Sequence, residues 1–177
     1  MQMGRNREAA SEIGQALKQA PRSDPFAYVL LAQLLDSTGD QADSRVTLDH
    51  AASLPDGVKA VALARAQIKM AHGDPAGAEA LLLPLAAHDP ENRDLRLWLT
   101  LGGALSAQNR NQDALAAYQK AIALAPDRPA ARYSAAQMLH ALGHDGEAIE
   151  QLNRVLELRP NDSRARGLID QIRAGQH

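Results

Sequence analysis

The chain has 177 residues, a formal net charge of −2 and a hydrophobic fraction of 45%, supplied mostly by alanine and leucine, with aromatics at only 3%. Strong helix formers dominate over the β-branched and aromatic residues that favour strands, so the expectation is an all-helical protein with a core of small, closely approaching side chains. Near-balanced charge excludes binding driven by phosphate neutralisation, the lack of cysteine excludes disulfides, thiol catalysis and thiolate–metal sites, and no apolar run is long enough to span a bilayer.

The opening MQMGRNREAA lacks the apolar centre of a secretory signal. The chain therefore reads as soluble, and nothing in it chooses between cytoplasm and periplasm. The first predicted helix covers residues 6–20, with Ala9, Ile13 and Ala16 at helical spacing. Leu17 and Ala20 are expected to pack on the helix beginning at Pro25. Ala9 and Ile13 face the place of a preceding helix that the chain does not supply. The N-terminus therefore reads as cut, and this helix as an orphan second half of a pair. Weak self-association through its uncovered stripe is expected at most.

Four helix pairs follow, at 25–58, 59–92, 95–128 and 129–160. Pro21, Pro55, Pro90, Pro126 and Pro160 each close an apolar helical pattern, at separations of 34, 35, 36 and 34 residues. Turn signals lie midway between them: STGDQ, HGDPAG, AQNRNQD and LGHDGE. Asp24–Pro25 and Asp74–Pro75 have the form of helix starts, with Asp as N-cap and Pro in the first turn. The connection AAHDPENRDL carries about two residues more than its neighbours. A last helix over 162–174 follows the cap signal NDS, keeps Leu168, Ile169 and Ile172 for docking, and turns Arg164, Arg166, Asp170 and Arg173 outward, as a terminal helix of a repeat array does.

Aligned on this period, the pairs share columns. Small residues recur at Ala32, Ala66, Gly102 and Ala136 in the first helices, and at Ser44, Ala78, Ala114 and Ala148 in the second. A further column reads Ala51, Leu85, Ala121, Val155, and a large one reads Leu48, Leu82, Tyr118, Leu152. Small residues let backbones approach while the large one fills the groove between helices. One pair cannot bury both its faces, so the pairs must stack. The pair 59–92 departs from the pattern by placing Arg65 and Lys69 where the previous pair has Leu31 and Leu35. Val58, Val61, Ile68 and Met70 are expected to pack instead, with the cations snorkelling; the other reading is a basic spot for an acidic partner group.

This pattern resembles the tetratricopeptide repeat family, over almost the whole chain. The clearest unit has Trp98, Leu101, Gly102 and Leu105 in its first helix, then Ala114, Tyr118, Ala121 and Pro126; the next unit keeps the columns but has Arg132 in the tryptophan position. The resemblance implies an α-α superhelix, a solenoid of antiparallel helix pairs with about ten helices, forming a single array over 5–174. It implies a non-catalytic scaffold that binds a peptide or helix of a partner protein in a groove lined by the first helices. The alternative is a recognition or regulatory segment of a larger bacterial enzyme or export or assembly machine, such as a glycosyltransferase or polysaccharide-secretion protein. The bacterial association rests on alanine-rich repeats with four lysines among 19 basic residues.

On the expected groove, the residue after the small column reads Gln33, Gln67, Gly103, Gln137, and the last helix adds Gln171. Amides there can bond both N–H and C=O groups of an extended backbone. The flanking lining is Phe26, Val29, Leu30, Leu63, Met70, Arg96, Leu99, Tyr133 and His140. The family's carboxylate clamp, which grips chaperone C-termini, is not expected: its places hold Val29, Gln33, Ala64, Arg96 and Thr100, or, one repeat later, Leu63, Gln67, Thr100, Ala130 and Ser134. No hydrolase elbow, phosphate loop, dinucleotide fingerprint or zinc-protease motif occurs, so no enzyme, cofactor or metal is expected. His140 and His144 are four apart, but Gly143 intervenes and the pair reads as surface histidines.

Overall fold

The structure is a computed structural model and describes residues 2–21, 24–88 and 93–175. Pro90 and Asn92, which close the second expected repeat, lie outside the described residues, as do positions 89 and 91 of the connection between residues 86 and 95. Among the described residues there are ten α-helices and no strand: α1 (Gln2–Gln19), α2 (Pro25–Ser37), α3 (Gln41–Ala52), α4 (Gly57–Ala71), α5 (Pro75–His88), α6 (Leu95–Ala107), α7 (Asn111–Leu124), α8 (Pro129–Ala141), α9 (Asp145–Leu158) and α10 (Ser163–Ala174). They fall into two compact units, Met1–Asp74 and Pro75–His177.

Helix boundaries follow local chemistry. Asp24 caps α2 by accepting from the Phe26 N–H, with Pro25 in the first turn, and Asp162 caps α10 by accepting from the N–H groups of Arg164 and Ala165. Inside the pairs the turn is stereotyped. Gly39, Gly73, Asn109 and Gly143 all have positive φ. The next residue in each case donates its N–H five positions back: Asp40 to Leu35, Asp74 to Lys69, Arg110 to Leu105 and His144 to Leu139, at 2.8–3.0 Å. This is the left-handed C-terminal stop, and glycine holds it without strain at three of the four places. Between pairs, Ala125 and Arg159 take an extended conformation before Pro126 and Pro160, because a proline disfavours helix in the residue preceding it.

Unit 1 centres on Leu17 of α1, Tyr28, Val29 and Ala32 of α2, Leu48 and Ala51 of α3, and Ala60, Val61 and Ala64 of α4. Gly57 opens α4 where no side chain fits: a Cβ would lie 1.9 Å from the Ala51 carbonyl oxygen. Unit 2 stacks α5 to α10, each helix on the next in sequence. Trp98 is buried at 5% exposure, with the Lys120 ammonium 4.1 Å from its ring centroid. Every member of the four packing columns is buried except Leu85, which is half-buried.

Several expectations need correction. Val58 does not pack; it is 70% exposed, because α4 begins at Gly57 and Val58 lies in its first turn on the solvent side. Arg65 and Lys69 do not simply snorkel: Arg65 pairs with Asp49 of α3, and the Lys69 Nζ is 2.6 Å from an Asp74 carboxylate oxygen. Both cations are thereby neutralised inside unit 1. Ile13 does not point into empty space either: it is partly buried against the unit 1 core, whereas Ala20, expected to pack, is exposed. Helix α1 also starts at Gln2, four residues before the expected start.

Candidate binding faces

In unit 1 the first-helix face is built from α2 and α4, which pack on each other. Phe26, Leu30 and Gln33 lie at i, i+4 and i+7 of α2 and so share one stripe; Leu63, Gln67 and Met70 have the same spacing on α4. The two stripes are tied by one bond, as the Gln33 side-chain amide donates to the Gln67 amide oxygen at 2.7 Å. Each glutamine still has donor and acceptor capacity left. Phe26 and Leu30 are 50% and 48% exposed, and Met70 is half-buried. Val29 and Leu63, expected on the lining, are instead buried: Val29 belongs to the unit 1 core, so these two support the face from beneath.

In unit 2 the expected residues are spread over α6, α8 and α10. Arg96 is exposed beside its own N-cap, with its Nε 3.5 Å from Asp94 Oδ1, and Leu99 is half-buried. Gln137 and Gln171 are exposed. Tyr133 is half-buried beneath the Arg164 guanidinium, 5.2 Å from the ring centroid, within cation–π range. Arg164 in turn hydrogen-bonds Asp162, and that bond holds the Asp162 carboxyl below its ordinary pKa. His140 Nδ1 lies 2.6 Å from Asp145, and His144 Nδ1 3.1 Å from Glu147, so the two histidines face different carboxylates rather than a shared point. Among the described residues no group of three or more His, Cys, Asp or Glu side chains could hold a metal ion.

Two polar arrangements were not read from the sequence. Arg132, in the tryptophan position of its repeat, donates to the Pro126 carbonyl and to the Gln151 side chain, both at 2.9 Å. Buried Glu79 accepts from Arg110 at 2.5 Å and from Gln108 at 2.8 Å. The first joins the two helices of one pair and the second joins neighbouring pairs, and both connect different columns, which a column alignment does not examine. The Gln33–Gln67 bond was accessible in principle, since the two residues occupy one column 34 positions apart.

The helices of each unit, joined by short turns and packed on their neighbours, place the chain in the all-α class built from helix pairs. Residues 105–172 match the family model described as Tetratricopeptide repeat. No curated protein sequence matches the chain. Among solved structures, a crystal structure of MamA is similar, with 23% identity, a TM-score of 0.71, and coverage of 82% of this chain and 84% of that one. The Cut9–Hcn1 hetero-tetramer of the APC/C has 17% identity and a TM-score of 0.77, over 96% of this chain but 33% of that one. The first repeat domain of Spaghetti (RPAP3), solved with the HSP90 peptide SRMEEVD, has 22% identity and a TM-score of 0.61, over 66% and 90%. No helix is long and apolar enough to cross a membrane among the described residues.

Proposed function

We propose that this chain is a non-catalytic protein-interaction scaffold whose first-helix faces take a peptide or helix of a partner protein, with residues 5–174 serving as one binding module. The observation carrying this reading is the unit 1 face: two large apolar side chains, Phe26 and Leu30, stand half-exposed beside a fixed pair of amides. Apolar anchors next to polar groups of set orientation are how protein surfaces combine affinity with register. A fold neighbour with a peptide bound lends support, but the ligand chemistry differs. The clamp places hold Val29, Gln33, Ala64, Arg96 and Thr100, a single cation, so a terminal carboxylate is not the feature recognised. Weak self-association through α1, whose Met3 is 67% exposed, belongs to the same reading. Light scattering tests it: a tight dimer unaffected by Met3→Lys would rule it out.

The main test begins with capture of a partner from the native source. The variant Phe26→Glu/Leu30→Glu should lose capture while circular dichroism stays unchanged. Replacing Gln33, Gln67 and Gln137 together by alanine should weaken binding at least tenfold, since each unpaired partner amide costs about 1–3 kcal/mol. Undiminished affinity in both variants would remove the first-helix faces as the binding surface.

A further inference from the structure

Unit 1 has a second recess that shares no residue with the first-helix face. A cleft of about 470 Å3 runs between α1 and α3, with α2 beneath. Its floor is apolar, formed by Leu31 and Leu35, both partly exposed. One wall is cationic, with Arg7 and Lys18 eleven residues apart on α1, about 16 Å of helical rise. The other is anionic, with Asp40 and Asp43 where α3 begins. Asp40 accepts from Thr38, but Arg7, Lys18 and Asp43 enter no ion pair among the described residues.

The α1 wall is open because it is built small. Gly14 lies on it, and a Cβ placed there would touch only Leu31, at 3.9 Å. The recess is therefore a place where a side chain could sit and none does. Volume in this range suits a few apolar groups, while the α1 wall carries positive charge at Arg7 and Lys18 and the α3 wall carries negative charge at its N-terminal end, before Val46 and Thr47.

We propose that this cleft docks a short amphipathic helix of a partner protein, one with an apolar stripe flanked by acidic residues on one side and basic residues on the other. The stripe sits on Leu31 and Leu35, the acidic flank meets Arg7 and Lys18, and the basic flank meets Asp43. Uniformly charged helices are disfavoured, because one of their flanks faces a like charge.

The test uses three stapled 14-residue helices with the same leucine stripe and fluorescein label: one with a glutamate and a lysine flank, one with two lysine flanks, one with two glutamate flanks. Fluorescence anisotropy with the whole chain should show the mixed helix binding at least tenfold tighter than either uniform one. Arg7→Glu/Lys18→Glu, which makes both walls acidic, should move the preference to the lysine-flanked helix. Gly14→Leu should fill the cleft and abolish binding of all three, with an undiminished melting temperature because leucine is the better helix former. Equal affinity for the three helices, or no binding of the mixed one, would overturn the proposal. So would binding that survives Gly14→Leu and is lost in Phe26→Glu/Leu30→Glu. That last result would seat the helix on the first-helix face and leave the main functional reading intact.

Discussion

The pairs α2–α3 and α6–α7 use the same columns and fill them differently. In α2–α3 the small residue is Ala32 and the large one Leu48; in α6–α7 they are Gly102 and Tyr118. The exchange is forced by volume. A Cβ on Gly102 would lie 2.7 Å from a Tyr118 ring carbon, closer than carbons pack. A tyrosine in the large column thus requires a glycine in the small one, while a leucine leaves room for alanine, as in Ala136 and Leu152 of the α8–α9 pair. What the repeat keeps constant is filled space, and residue identities vary in compensating pairs.

The contrast can be broken at its strongest point, Trp98, which only α6 possesses. Trp98→Ala should cost roughly 3–5 kcal/mol in denaturant melts. A loss below about 1 kcal/mol would show that α6 does not sit in the register described. The exchange itself comes next. Gly102→Ala should cost about 1–3 kcal/mol through overpacking. Adding Tyr118→Leu should recover most of that loss, so a double-mutant cycle with coupling under about 0.5 kcal/mol would refute the compensation.

The smallest effect concerns ionisation. Burial pushes the Tyr118 phenol above its ordinary value, and its hydrogen bond with Ser134 offsets part of the shift. A raised pKa in the folded state means the unfolded chain ionises first. The stabilisation is therefore complete below about pH 10 and lost as pH rises through the folded value. Tyr118→Phe cannot ionise, so its melting temperature should fall less than wild type between pH 9 and 11. Parallel decline in the two proteins would show that other groups control alkaline unfolding.

The columns made the helix pairs legible because each position combines a fixed period with a size constraint; Ala32, Ala114, Ala121, Leu152 and Val155 were all assigned to the core from spacing alone. Asp24 is legible as a cap because Asp before Pro and a helical run has one dominant use, whereas the run NDS marks a cap without saying which of its three residues, Asp162 in the structure, makes the bonds. Polar partners were not legible. Asp49 beside Arg65 and Gln151 beside Arg132 depend on side-chain reach between neighbouring helices, which periodicity leaves unspecified. Val29 and Leu63 were misplaced for a similar reason: on a helix packed along most of its circumference, one step of about 100° separates a lining residue from a core residue. The cleft over Leu31 and Leu35 left no signal in the sequence, since an opening between helices is set by their separation.

The left-handed stops at Gly39, Gly73, Asn109 and Gly143 also bear on how fast the chain finds its fold. Each turn closes by bonds reaching only three to five residues back, and in unit 2 the helices pack in sequence order. Loop-closure entropy is thus small at every step. Chains dominated by such local contacts fold on the order of microseconds to milliseconds. With near-equivalent hairpins available, nucleation is not confined to one of them. The redundancy that lets a sequence repeat itself in space thereby gives it several places to begin.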